Sequence, residues 1–272
     1  MSVDSFIIDG ARSPIGTKNG QMVGVRSDDL SAQVIQGLMQ RNTNIPSEVI
    51  EDVVVGCAFP EGPQGMLMAR SISVLAELPI ESGAKVVNRF CGSSMDSVHQ
   101  LSQAVLAGDI DAGIAAGVED MFSVPMGGFN PSFHPDLYEK EFYIGMGDTA
   151  EILAKDLDIS REDQEAFAVN SHEKALAAIE AGRYDNEIIP AQVNGVEVSK
   201  DEGPRTPDLD KIKSLDPAFD ADGSVTAATS SPISVGAAAA IIMGGDKAKE
   251  LGVSPKFKIK SRAVAGVGWM RM

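Results

Sequence analysis

One of the two cysteines stands where the sequence predicts that a strand gives way to a helix. Cys91 follows the apolar residues 86–90 and precedes Gly92, two serines and apolar residues at helical spacing. In the first turn of a helix, unpaired N–H groups and the helix dipole favour a thiolate, and the same N–H groups stabilise an oxyanion on a substrate carbonyl. The pattern therefore indicates acyl transfer through Cys91. The alternative is a small buried thiol, which is common in protein cores.

The three histidines give Cys91 no convincing general base. His99 lies eight residues further along the predicted helix, about 12 Å along its axis, which is beyond hydrogen-bond reach. His134 falls in a loop-rich segment without a motif, and His172 falls on a helix among polar neighbours. The scattered histidines and cysteines also lack the ligand spacing of a zinc site, so we predict no metal.

The composition predicts an ordinary globular protein with a strongly acidic balance. The chain has 272 residues, 43% of them hydrophobic, and 23 Lys and Arg against 39 Asp and Glu leave a net charge of −16. At about 150 residues per domain, this length corresponds to roughly two domains. The negative charge opposes attachment to nucleic acid or to an anionic membrane surface. No apolar run approaches the ~20 residues that cross a bilayer, so neither a nucleic-acid partner nor a membrane span is predicted.

The cysteines and the first residues indicate the compartment. Two cysteines are too few for a disulfide scaffold in a chain of this size. The first residues lack the basic and apolar regions of a secretory signal. We therefore expect a reducing compartment and a cytoplasmic location.

Predicted strands alternate with predicted helices along the first 120 residues. Apolar strands are expected at residues 6–8, 53–55, 85–90 and 112–118. Helices are expected from Ser27 as N-cap, at residues 66–78, and from Cys91 to Ala107. This order predicts a layered α/β domain of βαβαβ type, with parallel strands joined by right-handed crossovers.

After about residue 120 the alternation stops, and an insertion of helices and loops begins. Asp148 and Ser160 are predicted to cap two helices, and the second helix ends at Gly182. Strand and helix patterns resume afterwards, ending in a long predicted strand at residues 256–267. We assign residues 1–120 and 225–252 to one domain, 121–224 to an inserted subdomain, and 253–272 to the start of a further domain.

Several short motifs resemble those of the thiolase family and occur in the family's order. The segment Asn-Arg-Phe-Cys-Gly-Ser-Ser-Met-Asp-Ser at residues 88–97 resembles the nucleophile segment of these enzymes. Further similar segments lie at residues 9–16, 116–121, 146–151, 160–164, 217–219, 223–227 and 236–240. Together they extend over essentially the whole chain. The resemblance implies a thiolase-like layered fold whose inserted helical and loop subdomain binds CoA.

The resemblance also implies roles for individual residues. Cys91 would attack a thioester and carry the acyl group, as ping-pong transfer requires. The remaining candidates are Ser231 near the pantetheine, Ala227 and Phe219 along the CoA groove, Met146 beside the acyl pocket, and Arg205 at the phosphates. The alternatives are core packing for Phe219 and Met146 and a solvated charge for Arg205.

Similarity to thiolases further implies CoA and acyl-CoA as substrates, no tightly bound cofactor, and a homodimer or homotetramer. Cleavage of 3-ketoacyl-CoA or formation of acetoacetyl-CoA would place the protein in fatty acid metabolism. Three positions depart from the family's usual pattern: Ala228 replaces a common Gly, Val235 a common Asp, and Gly145 a common His. Because Ala lacks the conformational freedom of Gly, we expect a different loop near the pantetheine.

The family leads one to expect a second half-site, which has no counterpart in this sequence. Thiolases carry an Asn-Glu-Ala-Phe segment, a Gly-His-Pro histidine that activates the nucleophile, and a second cysteine in Cys-x-Gly. None of these words occurs here. We therefore expect a catalytically incomplete fragment of a longer thiolase, in preference to a short relative that another chain completes.

Two other functions stay open on the sequence. One is a condensing enzyme of the same superfamily, and the other is a non-catalytic CoA or acyl-binding module or subunit. The segment Met-Gly-Asp-Thr-Ala-Glu at residues 146–151 and the large insertion favour a thiolase over a condensing enzyme.

Overall fold

Runs of Val, Ile, Ala and Gly form the strands of the computed structural model, which describes residues 4–271. The strands are β1 Ser5–Arg12, β2 Gly16–Thr17, β3 Asp52–Gly56, β4 Gly83–Val87, β5 Ala112–Asp120, β6 Ala191–Val193, β7 Val196–Val198, β8 Ser234–Gly244 and β9 Phe257–Lys258. The α-helices are α1 Ser27–Arg41, α2 Met68–Leu75, α3 Ser93–Ala107, α4 Pro135–Glu139, α5 Met146–Asp156, α6 Arg161–Glu180, α7 Leu209–Lys213 and α8 Gly245–Glu250.

A mixed sheet forms the centre of the fold, with the strand order β4-β3-β5-β8-β1-β9 and with β2 beside β8. The parallel pairing predicted from the sequence is confirmed for β3 with β4 and β5. It is wrong for β8, which runs antiparallel to both β5 and β1. Because β8 comes after the long insertion and not after a crossover helix, the rule that makes successive strands parallel does not apply to it.

Side chains alternate along each strand, so the sheet carries apolar residues on both faces. In β3, Val53 and Val55 join the large cluster that contains Leu38 of α1 and Ile72 of α2. Val54 joins a second cluster with Leu101 of α3. Helices therefore cover the sheet on both faces, α1 and α2 on one and α3 on the other. The layered α/β fold expected from the sequence is confirmed.

The described residues form two compact units. The first unit comprises the chain up to Phe129, Asp185–Gly203 and Ile233–Arg262, and it contains the mixed sheet. The second unit comprises Asn130–Tyr184, Pro204–Pro232 and the chain from Ala263 onward. Residues 185–203, which include the β6–β7 hairpin, thus cluster with the sheet and not with the segment after Phe129. The three-part domain division made on the sequence stays a prediction.

Several element boundaries differ from those expected. Ser27 is the first residue of α1 and not its cap, and its hydroxyl has no hydrogen-bond partner among the described residues. Asp148 does not cap α5, because Gly145 takes the N-cap position. Ser160 does cap α6, accepting a hydrogen bond from the backbone N–H of Asp163.

The long strand predicted at residues 256–267 is only the two-residue β9, Phe257–Lys258. It pairs with β1 at the edge of the sheet, where only residues 6 and 7 offer partners. Arg262 then turns toward α3 and donates a hydrogen bond to Ser102 Oγ at 2.8 Å. The apolar pattern of this segment therefore does not correspond to an extended ladder. None of the helices within residues 4–271 is long and apolar enough to cross a membrane.

Candidate active site

The two cysteines follow neighbouring strands at one end of the sheet, Cys57 directly and Cys91 after three intervening residues. The strand β3 ends at Gly56 and its parallel neighbour β4 ends at Val87. The backbone N–H of Cys57 still donates to Val87 O at 3.1 Å. Since the carboxyl ends of parallel strands share an edge, the segments carrying Cys57 and Cys91 start side by side.

Cys91 is exposed and lies just before α3, not in its first turn. Gly92 takes the N-cap position and Ser93 is the first helical residue. The sequence predicts a helix from about Cys91 to Ala107, and α3 begins two residues later and ends at Ala107. Just before Cys91, Phe90 adopts a left-handed conformation, with φ of 44°. This conformation is rare for a bulky residue and is typically held in place by its surroundings at functional sites.

The segment 88–93, here called the Cys91 loop, is held by hydrogen bonds of its own side chains and backbone. Phe90 N donates to Asn88 Oδ1 at 2.9 Å, and Arg89 N donates to Ser93 Oγ at 2.8 Å. Ser93 Oγ in turn donates to Phe90 O at 2.5 Å, and Gly92 N donates to Arg89 O at 3.0 Å. Such local hydrogen bonds stabilise a turn against the regular helix. They fix the backbone on both sides of the Cys91 thiol.

Two glycines, Gly56 and Gly117, allow the start of α3 to pack directly against the sheet, and this pair is called the glycine seat. A side chain on Gly56, at the end of β3, would overlap the backbone of Ser93 and Ser94. A side chain on Gly117 of β5 would overlap the side chain of Ser94. The helix after Cys91 therefore rests directly on the backbone of two strands, a close approach that only glycine permits.

Cys57 lies in a different environment, next to the carboxylate of Glu119. This carboxylate accepts hydrogen bonds from Ala58 N at 2.7 Å, Phe59 N at 3.3 Å and Gln64 Nε2 at 2.8 Å. The Cys57 thiol lies 3.8 Å from it and is only 1% exposed as a residue. Burial and the nearby negative charge of Glu119 raise the pKa of the Cys57 thiol to about 12. Because a thiol reacts as the thiolate, this cysteine is inert near neutral pH.

The segment that binds the Glu119 carboxylate also contacts the Cys91 loop. Asn88 Nδ2 donates to Ala58 O at 2.8 Å. The rings of Phe59 and Phe90 are in contact, with centroids 5.8 Å apart. Sequence reasoning identified neither Glu119 nor the glycine seat, although the motif at residues 116–121 contains Gly117 and Glu119. A chain of contacts therefore runs from the end of β5 to the residues around Cys91.

The other five candidate residues all lie in the second unit. Met146 begins α5, and a side chain on the adjacent Gly147 would overlap the ring of Phe219. The chain next to Phe219 is paired with residues 225 and 226, because Ala218 N donates to Val225 O at 2.8 Å. The structure therefore brings Met146, Phe219 and the segment leading to Ala227 together within this unit.

Ala227 lies in a turn that starts at Thr226, and Ser231 comes directly after this turn. Thr226 N donates to Thr229 Oγ1 at 2.9 Å, and Ser230 Oγ donates to Thr226 O at 2.8 Å. The turn closes with Ala228 outside the left-handed region, so it does not need the Gly that is common there in the family. Arg205 is exposed, and its backbone N–H donates to Nδ1 of His172 at 3.4 Å.

Two of the histidines accept hydrogen bonds from backbone N–H groups. His134 caps α4 by accepting from Asp136 N at 3.2 Å, and His172 accepts from the Arg205 backbone. Within residues 4–271, no group of three or more His, Cys, Asp or Glu side chains is arranged to hold a metal ion.

Comparison with known proteins gives the family of this chain. The family described as "Thiolase, N-terminal domain" matches residues 5–246. A "3-ketoacyl-CoA thiolase" of Bacillus subtilis (strain 168) is 41% identical over 97% of this chain and 72% of its own length. The chain therefore belongs to the thiolase family, which is a family of acyltransferases.

Other relatives carry the same name. A "3-ketoacyl-CoA thiolase" of Alcanivorax borkumensis is 43% identical over 97% of this chain and 70% of the relative. One from Aliivibrio salmonicida is 44% identical over 96% of this chain and 70% of the relative. The resemblance seen in short motifs is thus confirmed along nearly the whole chain.

Proposed function

We propose that this chain transfers acyl groups between CoA thioesters through a thioester on Cys91, in the cleavage of 3-ketoacyl-CoA or the formation of acetoacetyl-CoA. Membership of the thiolase family and the names of its relatives support the substrate class. The main support for the proposal is that the Cys91 thiol is exposed on a loop held by hydrogen bonds. The Cys57 thiol, in contrast, is buried beside the Glu119 carboxylate.

A cysteine nucleophile divides the reaction into two halves. In the first half of 3-ketoacyl-CoA cleavage, the Cys91 thiolate attacks the 3-keto carbonyl and becomes acylated as the bond between C2 and C3 breaks. The released acetyl-CoA takes up at C2 a proton equivalent to the one that the thiol lost. In the second, the thiol of CoA attacks that thioester, takes the acyl group and regenerates free Cys91. The backbone N–H groups at the start of α3 are candidates to stabilise the oxyanion of each tetrahedral intermediate.

We assign CoA contacts to the second unit. Phe219 and Met146 are proposed for the groove and the acyl chain, since both are about half exposed and neither is core. Ala227 and Ser231 are proposed at the pantetheine and Arg205 at the phosphates, since all three lie on exposed or half-exposed segments. These roles come from the matching motifs, and the exposure of the side chains supports them.

We further propose a homo-oligomer and a cytoplasmic location. The strand β4 is the last strand of the sheet order and leaves one edge unpaired within the described chain. An uncovered edge strand is a template for pairing with a second copy. Cys57 and Cys91 are both free thiols, which suits a reducing compartment.

An exchange experiment tests the proposal on the chain as it stands. A ping-pong enzyme moves isotopically labelled CoA into acetyl-CoA without any second acyl acceptor. Because no Gly-His-Pro segment occurs in this sequence, we expect slow exchange with the wild type, on the order of 10²–10⁴-fold below a rate assisted by a general base. Exchange should be lost with Cys91→Ala and retained with Cys57→Ala. Exchange that persists in Cys91→Ala would overturn the role of Cys91, and no exchange in the wild type would overturn the proposed activity.

A further inference from the structure

Glu151 of α5 is a buried carboxylate in the second unit. Its residue is only 4% exposed. Both carboxylate oxygens accept from Ser224 N at 3.0 Å, and one accepts from Val225 N at 2.7 Å. Ser224 Oγ adds a further bond at 3.2 Å. Every one of these partners is a donor on the segment that precedes the turn at Thr226.

No cationic side chain among residues 4–271 forms an ion pair with Glu151. A buried carboxylate is costly unless it is well hydrogen-bonded. Backbone and hydroxyl donors of residues 224 and 225 therefore offset the free-energy cost of burying the Glu151 carboxylate. If either the Glu151 carboxylate or residues 224 and 225 moved, buried donors and acceptors would lose their hydrogen-bond partners. Each therefore stabilises the position of the other.

Neighbouring residues strengthen this contact. Gln164 Nε2 of α6 donates to Ser224 Oγ at 2.9 Å, which orients the hydroxyl toward Glu151. A side chain on Gly223 would overlap the Glu151 carboxylate. The segment thus approaches α5 as closely as its backbone allows.

The fixed segment leads directly into the turn that contains Ala227 and is followed by Ser231. Thr226 is fully buried and comes after Val225, the last residue that Glu151 holds. From Thr226, hydrogen bonds with Thr229 and Ser230 shape the turn. A displacement of residues 224 and 225 therefore moves the start of this turn.

We infer that Glu151 is a positioning residue for CoA binding, which acts by fixing residues 224 and 225 and through them the turn at Thr226 and the adjacent Ser231. This inference rests on the proposed CoA contacts of Ala227 and Ser231. Glu151 itself touches neither the reacting atoms nor CoA.

Calorimetric titration of the full chain with CoA tests the inference. In Glu151→Gln, an amide NH₂ faces the donors that the carboxylate accepts from, and we expect CoA affinity to fall by about tenfold or more. Glu151→Asp keeps the charge and should restore part of the affinity. Glu165→Gln is the matched control, because Glu165 is a largely buried carboxylate of the same unit that pairs with Arg161 at 2.8 Å. Its affinity for CoA should stay within about twofold of the wild type.

Labelling of Cys57 separates positioning from a general loss of structure. Partial unfolding of the chain would expose this thiol to iodoacetamide, whereas a displaced turn leaves it protected. We expect weaker CoA binding with Cys57 still unlabelled. Weaker binding together with labelled Cys57, or unchanged binding, would overturn the inference. Failure of the wild type to bind CoA would overturn the proposed function itself.

A gentler variant keeps the inference testable if Glu151→Gln does not fold. Ser224→Ala removes the hydroxyl that contacts both Glu151 and Gln164 and leaves the backbone donors in place. We expect CoA affinity to fall by about threefold, and an unchanged affinity would contradict the inference.

Discussion

Cys57 and Cys91 lie on the segments that follow two adjacent parallel strands, β3 and β4, but one thiol is buried and the other is exposed. Cys57 is 1% exposed, lies 3.8 Å from the Glu119 carboxylate and has its pKa raised to about 12 by burial and that charge. Cys91 is exposed on a loop that turns at the left-handed Phe90 and passes into α3. The position of a cysteine after a strand thus does not by itself determine how exposed its thiol is.

The difference lies in the segment that each strand leads into. After Gly56, the chain folds under the carboxylate of Glu119, which binds two successive backbone N–H groups. After Val87, serine and asparagine side chains hold an exposed turn above two glycines. The segment after β3 buries the Cys57 thiol and contacts the segment after β4, in which the Cys91 thiol is exposed.

The largest expected contrast is in alkylation. With native protein near neutral pH, iodoacetamide should modify Cys91 and leave Cys57 untouched, because the latter is buried and protonated. Mass spectrometry of tryptic peptides measures both sites. Cys91→Ala should abolish labelling and Cys57→Ala should not change it. Equal labelling of the two cysteines in folded protein would refute the contrast.

A second contrast concerns stability at alkaline pH. Cys57 stays protonated in the folded chain up to about pH 12, whereas the unfolded thiol ionises near its ordinary pKa of 9.0. The folded state then binds more protons, so stability falls as pH rises from about 9 to about 12, by up to about 4 kcal/mol. Urea unfolding at a series of pH values measures this fall.

Alanine variants of the two cysteines are the controls for this loss of stability at alkaline pH. Cys57→Ala should show a shallower loss of stability between about pH 9 and about pH 12 than the wild type, while Cys91→Ala should parallel the wild type. The opposite assignment would mean that Cys57 is not the thiol with the raised pKa.

The glycine seat under α3 gives the third prediction. Gly117→Ala places a methyl group on Ser94, and we expect a destabilisation of about 1–3 kcal/mol together with slower alkylation of Cys91. Urea unfolding and the alkylation rate give the two values. Gly203→Ala is the control, because nothing lies within 4 Å of a side chain there and its φ is ordinary. Its stability should change by less than about 0.5 kcal/mol.

The smallest effect is expected for the hydrogen bond from Asn88 Nδ2 to Ala58 O, which joins the segments that follow β4 and β3. Asn88→Ala removes the hydrogen bonds to Ala58 O and from Phe90 N, which should cost about 1–2 kcal/mol and slow the alkylation of Cys91 severalfold. Asn88→Asp keeps an acceptor for Phe90 N and loses only the donor to Ala58, so its effect should be smaller. Equal effects of the two variants would show that the bond to Phe90 does not matter.

Much of the first unit could be predicted from the sequence because its strands are short apolar runs ended by polar residues or glycine. The strands β3, β5 and β8 all contain the residues expected for them. The antiparallel insertion of β8 could not be predicted, since the residues that pair with it are distant in sequence.

Local conformations that oppose residue preference were also missed. Phe90 is held left-handed by its neighbours, and no propensity of Phe indicates this. The hairpin of β6 and β7 was missed as well, although Asn194 and Gly195, both with positive φ, form a pair that is typical of a two-residue turn.

The candidate site was predictable only in part. The cysteine motif indicated Cys91, but the partners that distinguish it from Cys57 come from other strands. Glu119 lies 62 positions from Cys57 in sequence, and Gly117 meets Ser94 only because β5 passes beneath α3. Such contacts depend on the sheet order, which residue spacing does not determine.

Acetyl transfer from acetyl-CoA tests the central claim, the nucleophilic role of Cys91, most directly. The full chain is incubated with acetyl-CoA, quenched in acid, and its peptides are mapped by mass spectrometry. We expect one acetyl group on the peptide that contains Cys91, lost when CoA is added and absent from Cys91→Ala. An acetyl group on Cys57, or one that persists in Cys91→Ala, would contradict this role.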